Sequence, residues 1–531
     1  MSAGAGSPAN PPGSRRANPP GLRSAPPAAS VPRMPDADPR TRTAGPETPA
    51  ADPEMRTPDR TGPPAPRAGR FDRSIVEGPI LPAVWKIAWP TMLHNMIGGL
   101  QGIVDHAMVG HFVGYTGNAA IGVSWQIYLL VVVFISSLYT GMGVLVARFA
   151  GAGDAEKVNR TVGQALLASL ALAFGVLAPA GYLLAPALLD LVNATPAVKA
   201  EALPYLRIMF LFSFGMLVFF LLGGALRAAG DARTPLRLGV AVTVVNIALN
   251  ILLIPGLGPL PAFGTTGAAL GTVLATGGAS LVALAFLRQG RWVVAIPRGL
   301  PLRPDWAVLR ALLRFGLPAG IQGVAMNVAG VFLLRFIGSL ERSAEAQAAY
   351  AVGYTELFSF VTWTSVGIMG ATAAVVGQNL GAGRPDRALH AVRVAARIAV
   401  AGAAAIGLLF LTVPRTLLAL FGMTDPVVAG IGAELLRVLS VSGLFVSAAL
   451  AYTGGLQGTG DTRSPLTITI ASQIVVPLGT CFLVQQAWGL EPIHVWLAIL
   501  LGHITRCTLS VARFRQGGWR RITVDIGPAR G

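Results

Sequence analysis

The sequence predicts an all-α polytopic membrane protein with twelve transmembrane helices, arranged as two six-helix bundles that are related by a pseudo-twofold axis along the membrane normal. Three observations indicate this fold class. Of the 531 residues, 53% are hydrophobic and 12% are charged, and the charged share is about half of that in soluble domains. The segment 224–236 (GALRAAGDARTPL) returns 230 residues later as 454–466 (GGLQGTGDTRSPL), which is typical of a transporter built from two repeats. Lys and Arg are concentrated in alternate loops.

Each half contains six apolar segments that are long enough to cross the hydrocarbon layer, where only helices satisfy the backbone. They lie at about 82–109, 119–147, 161–187, 200–226, 235–255, 264–287, 312–338, 347–376, 388–413, 428–456, 465–486 and 492–514. These bounds predict five regions along the chain. They are a disordered cytoplasmic tail rich in Pro, Ala and Arg (1–77), an N-terminal bundle (78–287), an interfacial cytoplasmic linker (288–311), a C-terminal bundle (312–514) and a second cytoplasmic tail (515–531).

The distribution of positive charge predicts the topology. Arg and Lys follow the even-numbered segments, whereas the loops 110–118 and 254–264 contain neither. Because cytoplasmic loops carry the excess of Lys and Arg, we expect both termini in the cytoplasm. Six spans per half then make the two repeats parallel. The formal net charge of +17 is therefore interpreted as a topology signal, and no nucleic-acid partner is expected.

One carboxylate, Asp105, lies within the first apolar segment. Ionisable residues at membrane depth are costly and are functional candidates, and removal from water favours the neutral form of a carboxyl group. Gln101 and His94 lie on the same helical stripe, and Pro90 can bend the helix as a hinge. We expect Asp105 to bind a coupling ion, the alternative being a structural hydrogen-bonding role. Its repeat partner is Leu333, so only one half carries this acid.

Two amides in the fifth segment, Asn246 and Asn250, are four residues apart and share one helix face. Thr272 in the sixth segment could add a hydroxyl group. Such neutral oxygens can ligate a cation or hold a protonated carboxyl, and they equally serve as hydrogen-bonding contacts between membrane helices. Both interpretations stay open.

Glu356 in the eighth segment is a second candidate acid, and Trp363 lies two turns beyond it. This pair would suit an organic cation through charge and cation–π attraction, unless Glu356 lies at the outer interface. The candidates for the substrate cleft are therefore His94, Gln101, Glu356 and Trp363. The spacing of His, Cys and carboxylates indicates neither a resident metal nor a cofactor.

Together these motifs resemble the prokaryotic multidrug and toxic compound extrusion (MATE) transporters. The resemblance covers about residues 80–515 and depends on GIVDHAMVGHF in the first segment, the repeated GDxRxPL turns, NIALN, TTGAALGT and the two GAG turns. It implies a V-shaped cleft, alternating access, and export of cationic or amphipathic drugs and toxins in exchange for protons or sodium ions. It also implies a monomer in the bacterial cytoplasmic membrane, with small organic molecules and the lipid bilayer as partners.

The resemblance assigns roles residue by residue. Asp105 matches the carboxylate of the family's amino-terminal cation site, Asn246 and Thr272 match further members of that site, and Pro90 matches a proline at which the helix bends. Asn250 departs from the pattern, since prokaryotic members of this type usually have Asp there. The loss of that charge favours protons over sodium, which could still bind transiently at Asp105.

Two other function classes stay open. A flippase for a lipid-linked precursor would require cationic residues along the cleft to hold pyrophosphate, and Arg207, Arg335 and Arg437 are the candidates. A polytopic membrane enzyme would require a convergent acid–base, metal or phosphate-cradling motif. The sequence contains no such motif, so we do not expect an enzyme.

Overall fold

A computed structural model describes residues 69–296 and 303–528, and within these ranges the chain is helical, without strands. Twelve long helices account for most of the described residues. They are α1 (Ile80–Phe112), α2 (Tyr115–Ala152), α3 (Ala155–Leu191), α4 (Pro196–Leu211 and Ser213–Ala228), α5 (Arg233–Leu253), α6 (Gly264–Arg288), α7 (Trp306–Gly338), α8 (Ser343–Gly381), α9 (Pro385–Thr412), α10 (Pro426–Thr459), α11 (Arg463–Ala487) and α12 (Pro492–Arg515). Short helices lie at Ser74–Glu77, Pro414–Ala419 and Gly518–Arg521. Each predicted segment corresponds to one long helix, which confirms the fold class.

The apolar character of the helices agrees with a multi-pass membrane protein. In the described part of the chain, ten of them are long and apolar enough to cross a membrane, and the two pieces of α4, bent by 52°, form an eleventh span. The remaining helix, α1, has 33 residues but also carries Lys86, His94, Gln101 and Asp105. The least apolar span is therefore the one on which the sequence predicts the coupling site.

The two bundles meet through the first two helices of each half. Helix α2 packs against α7, and α1 packs against α8. The repeat relates α1 to α7 and α2 to α8, so each of these contacts is the counterpart of the other. The interface therefore has the twofold character that the internal repeat predicts.

The GAG turns, at 151–153 and 381–383, lie where α2 and α8 cross. They mark the end of the bundles at which the arginines that follow the even-numbered helices lie, which we call the arginine-rich end. A Cβ atom on Gly151 would lie 1.9 Å from the carbonyl oxygen of Gln378, and one on Gly381 would lie 2.0 Å from the carbonyl oxygen of Arg148. Both pairs of equivalent residues are 230 positions apart, so the two approaches are a single contact made twice. Glycine is required here because any side chain would separate the helix backbones.

Both terminal segments pack against the bundles, which differs from the predicted tails. Ile75, in the predicted tail 1–77, is buried, and so are Trp519 and Ile526 in the predicted tail 515–531. The rest of the first tail, up to residue 68, lies outside the described residues. Composition suggests solvated tails because the segments are polar on average. Single large apolar side chains nevertheless anchor them to the ends of the bundles.

The predicted linker 288–311 is divided between the two halves. Val294 and Ile296 are buried in the core of the first bundle, and α7 begins at Trp306. Residues 297–302, in the middle of the predicted linker, lie outside the described residues. The connecting segment is therefore shorter than the composition predicts.

Candidate functional site

Asp105 on α1 is surrounded by amide and hydroxyl groups of α5 and α6. The Nδ2 atom of Asn250 donates to Asp105 Oδ1 at 2.7 Å. The side chain of Asn246 satisfies its neighbours best when its nitrogen donates to Asp105 Oδ1 at 3.0 Å and its oxygen accepts from Thr272 Oγ1 at 3.3 Å. The structure therefore brings together the four residues that the sequence predicts as the coupling-ion site.

Glycines of α6 allow α5 to come close enough for this arrangement. A Cβ atom on Gly271 would lie 2.1 Å from Asn250 Oδ1, and one on Gly267 would lie 2.7 Å from the carbonyl oxygen of Leu253. The Oδ1 atom of Asn250 is buried and has no hydrogen-bond partner among the described residues. Such an oxygen beside a carboxylate can ligate a small cation, and neighbouring amides can instead hold a protonated carboxyl.

The metal-ligating residue types give no sign of a resident metal at this site. Within the residues that the structure describes, no group of three His, Cys, Asp or Glu side chains is placed to hold a metal ion. The ring around Asp105 combines one carboxylate with neutral groups. A carboxylate among neutral oxygens can take up a proton or a monovalent cation.

The Asp105 site faces a cavity of about 540 Å³ at the inner side of the first bundle. Gln101 and His94 line this cavity from α1, and Trp363 lines it from α8. The Oε1 atom of Gln101 accepts a hydrogen bond from Thr243 Oγ1 at 2.8 Å. The predicted polar stripe on α1 therefore forms one wall of the cavity.

A second cavity, of about 690 Å³, lies between the two bundles. His94 and Asn95 line both this central cavity and the cavity beside Asp105, so the two share a wall on α1. The lining of the central cavity is mostly apolar and rich in aromatic rings. These rings include Trp125, Tyr139, Phe220, Tyr354 and Phe358. Such a surface suits an organic molecule with a large apolar body.

Pro90, the predicted hinge, lies inside α1 without interrupting the helix. Its repeat partner, Pro318, lies in the same way inside α7. Each proline removes one backbone hydrogen bond from a helix that contacts the other bundle. The role of Pro90 as a hinge stays a prediction.

Glu356 is separated from Trp363, with which the sequence pairs it. Trp363 lines the cavity beside Asp105, whereas Glu356, although half-buried, lines neither cavity. The physical reason is a π-helical turn at Ala351–Leu357, because an extra residue in a helix rotates the subsequent residues by about 100°. Spacing along a regular helix therefore misplaces Glu356, and the predicted acid–aromatic cleft is not formed.

The three arginines that would favour a flippase lie away from both cavities. Arg207 lies over the ring of Tyr182, with 4.6 Å between the guanidinium carbon and the ring centroid. Arg335 and Arg437 are exposed on the outside of the second bundle. The specific pattern predicted for that function is absent at these three positions.

Two other arginines line the central cavity, one from each bundle. They are Arg227 at the end of α4 and Arg506 in α12, and their exposed fractions are 6% and 5%. Sequence reasoning missed this role because it counted Arg227 among the loop charges and passed over Arg506. A usable signal was present, since the repeat partner of Arg227 is the polar residue Gln457, which lines the same cavity from the second bundle.

Hydrogen bonds between the bundles close the arginine-rich end of the central cavity. Gln378 Nε2 donates to the carbonyl oxygen of Ala228 at 2.7 Å, and Arg148 Nη2 donates to that of Thr459 at 3.1 Å. Arg148 and Gln378 are equivalent in the repeat. Each therefore reaches from its own bundle to the last turn of a helix in the other.

The comparison with protein families agrees with this twofold architecture. The MatE family model matches residues 90–252 and again residues 318–483, once in each half and over more than half of the chain. This chain belongs to the MatE family. The resemblance predicted from the motifs is confirmed, and the family is one of membrane transporters.

Named relatives match nearly the whole MatE region. A probable multidrug resistance protein NorM of Deinococcus radiodurans is 30% identical over 450 residues, which are 82% of this chain and 95% of that protein. A probable multidrug resistance protein NorM of Thermotoga maritima is 27% identical over 443 residues, which are 83% of this chain and 93% of that protein.

Solved structures share the fold of this MatE protein. A multidrug resistance MATE family transporter in an outward-facing conformation superimposes with a TM-score of 0.78 at 22% identity, covering 85% of this chain and 98% of that one. A MOP superfamily transporter from Pyrococcus furiosus, whose binding pocket is described as having reverse polarity, superimposes with a TM-score of 0.77 at 22% identity and the same coverage.

Proposed function

We propose that this MatE transporter is a secondary active antiporter that exports amphipathic small molecules in exchange for protons or sodium ions. One observation carries the proposal. The carboxylate of Asp105 on the membrane helix α1 accepts hydrogen bonds from Asn250 and Asn246, Thr272 contacts Asn246, and this site lies beside a cavity that shares a wall with the central cavity. Ion binding and substrate binding can therefore influence each other through α1.

The proposed orientation follows the positive-inside rule and places the arginine-rich end, with both termini, in the cytoplasm of a bacterial cell. The bundles are joined at that end by Arg148 and Gln378, which supports an outward-facing state in this orientation. In this state Asp105 receives the ion from outside. α1 then repacks near Pro90, and the substrate leaves.

Coupling requires that the ion and the substrate stabilise different states. Binding of a proton or sodium ion at Asp105 changes its hydrogen bond with Asn250, which alters how α1 packs against α5. His94 lies on the same helix and lines both cavities. A shift of α1 therefore changes the central cavity as well, without direct contact between ion and substrate.

The test is gradient-driven export of fluorescent amphipathic dyes from proteoliposomes, under an imposed proton or sodium gradient. Asp105→Asn should abolish the gradient dependence. Glu356→Gln is the matched control, because it makes the same change of carboxylate to amide in a half-buried residue that lines neither cavity. Equal loss in both variants, or undiminished export by Asp105→Asn, would contradict the proposal.

A further inference from the structure

We propose that the central cavity binds the anionic group of an amphipathic substrate, through Arg227 on one bundle and Arg506 on the other. This inference rests on the proposed export function and specifies the class of molecule exported. The expected substrate carries a carboxylate, sulfonate or phosphate group on an apolar, aromatic body. The two arginines supply charge and directed hydrogen bonds to one cavity from different bundles.

The first observation is that both guanidinium groups are buried without a counter-ion. Among residues 69–296 and 303–528, no carboxylate oxygen lies within 4.0 Å of either group. The Nε atoms of Arg227 and Arg506 also have no hydrogen-bond partner there. A buried charge that lacks a partner is costly, so its presence on the wall of a cavity indicates a functional ligand.

The second observation is the composition of the cavity wall. The residues that line the central cavity include no Asp or Glu, whereas Asp105 lines the neighbouring cavity. The two cavities therefore differ in charge, with the carboxylate beside one and the two arginines beside the other. An organic cation would meet repulsion at both arginines, and an organic anion would meet two donors.

The third observation is the aromatic surface around the arginines. The guanidinium carbon of Arg227 lies 5.5 Å from the centroid of the Tyr139 ring. In the second bundle, Tyr354 and Phe358 stack with 5.5 Å between ring centroids and line the cavity together with Arg506. These rings can hold the flat apolar body of a ligand while the guanidinium groups hold its charged end.

The same chemistry could belong to a soluble aromatic anion or to a lipid-linked phosphate. Both present an anion on an apolar body, and both would use Arg227 and Arg506. The experiment therefore includes one probe for each source, and the proposal concerns the charge class that they share.

The test measures binding to the full chain in lipid nanodiscs by calorimetry, without any ion gradient. The probes are 2-naphthalenesulfonate, the 2-naphthyltrimethylammonium cation as its charge-reversed counterpart, and a short-chain polyprenyl diphosphate. We expect at least one anionic probe to bind more tightly than the cation. Arg506→Gln and Arg227→Gln should each weaken that binding by about tenfold or more, and Arg506→Lys should recover part of the loss.

Arg335→Gln is the matched control, because this arginine is exposed on α7 and lines neither cavity. Preference for the sulfonate identifies a soluble anion as the source, and preference for the diphosphate identifies a lipid. Equal or tighter binding of the cation, with no effect of either glutamine variant, would overturn the proposal. Since Arg227 and Arg506 lie in different bundles, misfolding of one variant leaves the other as a test.

The two proposals fail in different ways. Asp105→Asn should lose gradient-driven export and keep arginine-dependent binding of the anionic probe. If export stays coupled to the gradient but the arginine variants bind the anion normally, the substrate class is wrong and the antiport mechanism stands.

Discussion

Replacement of Gly151 by Ala should weaken the closed arrangement at the arginine-rich end. The new Cβ atom would lie 1.9 Å from the carbonyl oxygen of Gln378, whereas ordinary van der Waals contacts begin at 3.4 Å. The obstacle is backbone and cannot rotate away, so α2 and α8 must separate by about 1.5 Å at this crossing. Overpacking of this kind costs about 1–3 kcal/mol.

This free-energy cost applies to the state in which α2 and α8 touch at Gly151. It disappears when the arginine-rich end opens. The ratio of open to closed molecules should therefore rise by about 5-fold to 150-fold, which corresponds to the same 1–3 kcal/mol. Gly381→Ala should act in the same direction, because its Cβ atom would lie 2.0 Å from the carbonyl oxygen of Arg148. In the double variant, the free-energy effect on the ratio of open to closed molecules should be smaller than the sum of the two single effects. The reason is that one separation of α2 from α8 relieves both overlaps.

The assay is a distance distribution between spin labels at positions 233 and 463, which are exposed at this end, one on each bundle. The labels require a background in which Cys481 and Cys507 are replaced by Ala. The control is Gly122→Ala on α2, because a Cβ atom there meets nothing within 4 Å. An unchanged distribution in both the Gly151 and the Gly381 variants would show that this glycine contact does not hold the two bundles together.

Three further outcomes depend on particular contacts. Asn250→Asp places a second carboxylate beside Asp105, to which Asn250 donates at 2.7 Å, and should increase sodium affinity as measured by calorimetry. Ile526→Ala removes a side chain that is 4% exposed and should lower unfolding stability by about 2 kcal/mol in thermal denaturation. Burial alone would raise the pKa of Asp305, but hydrogen bonds from Arg160 and from the start of α7 hold this pKa below its ordinary value. The wild type should therefore have a higher free energy of unfolding than Asp305→Asn at pH 7. This difference should disappear as the pH falls below about 4.

For each of these three variants, one experimental result would contradict the expectation. Unaltered sodium binding by Asn250→Asp would exclude the Asp105 ring as a cation site. The control for Ile526 is the exposed Thr523, and equal effects of both alanine substitutions would contradict an anchoring role. A constant difference in melting temperature between wild type and Asp305→Asn from pH 7 to pH 3 would contradict the contribution of the Asp305 charge.

The fold was accessible from the sequence because its main determinants are local or periodic. Apolar segments of membrane length predict each helix, and the 230-residue repeat predicts the twofold interface of α1 and α2 with α7 and α8. The four residues of the Asp105 site could also be predicted. Asn246 and Asn250 share a face because they are four residues apart, and the glycines of α6 allow α5 to approach.

The parts that sequence reasoning missed depend on contacts between distant segments. Arg227 and Arg506 look like ordinary positive charges until the two bundles place them on one cavity. The prediction placed Glu356 on the same helix face as Trp363. This was wrong because a π-helical turn, which the sequence pattern does not indicate, changes the helical register before Trp363. Ile526 lies in a polar segment whose binding surface belongs to the first bundle.

In the proposed mechanism, ion binding at Asp105 sets the balance between the two states of the transporter. The most direct measurement is the distance between labels at positions 233 and 463 as a function of pH and sodium concentration, in the wild type and in Asp105→Asn, with no substrate present. We expect protons or sodium to shift the wild-type distance distribution and to leave that of Asp105→Asn unchanged. The same shift in both proteins would contradict the proposed mechanism.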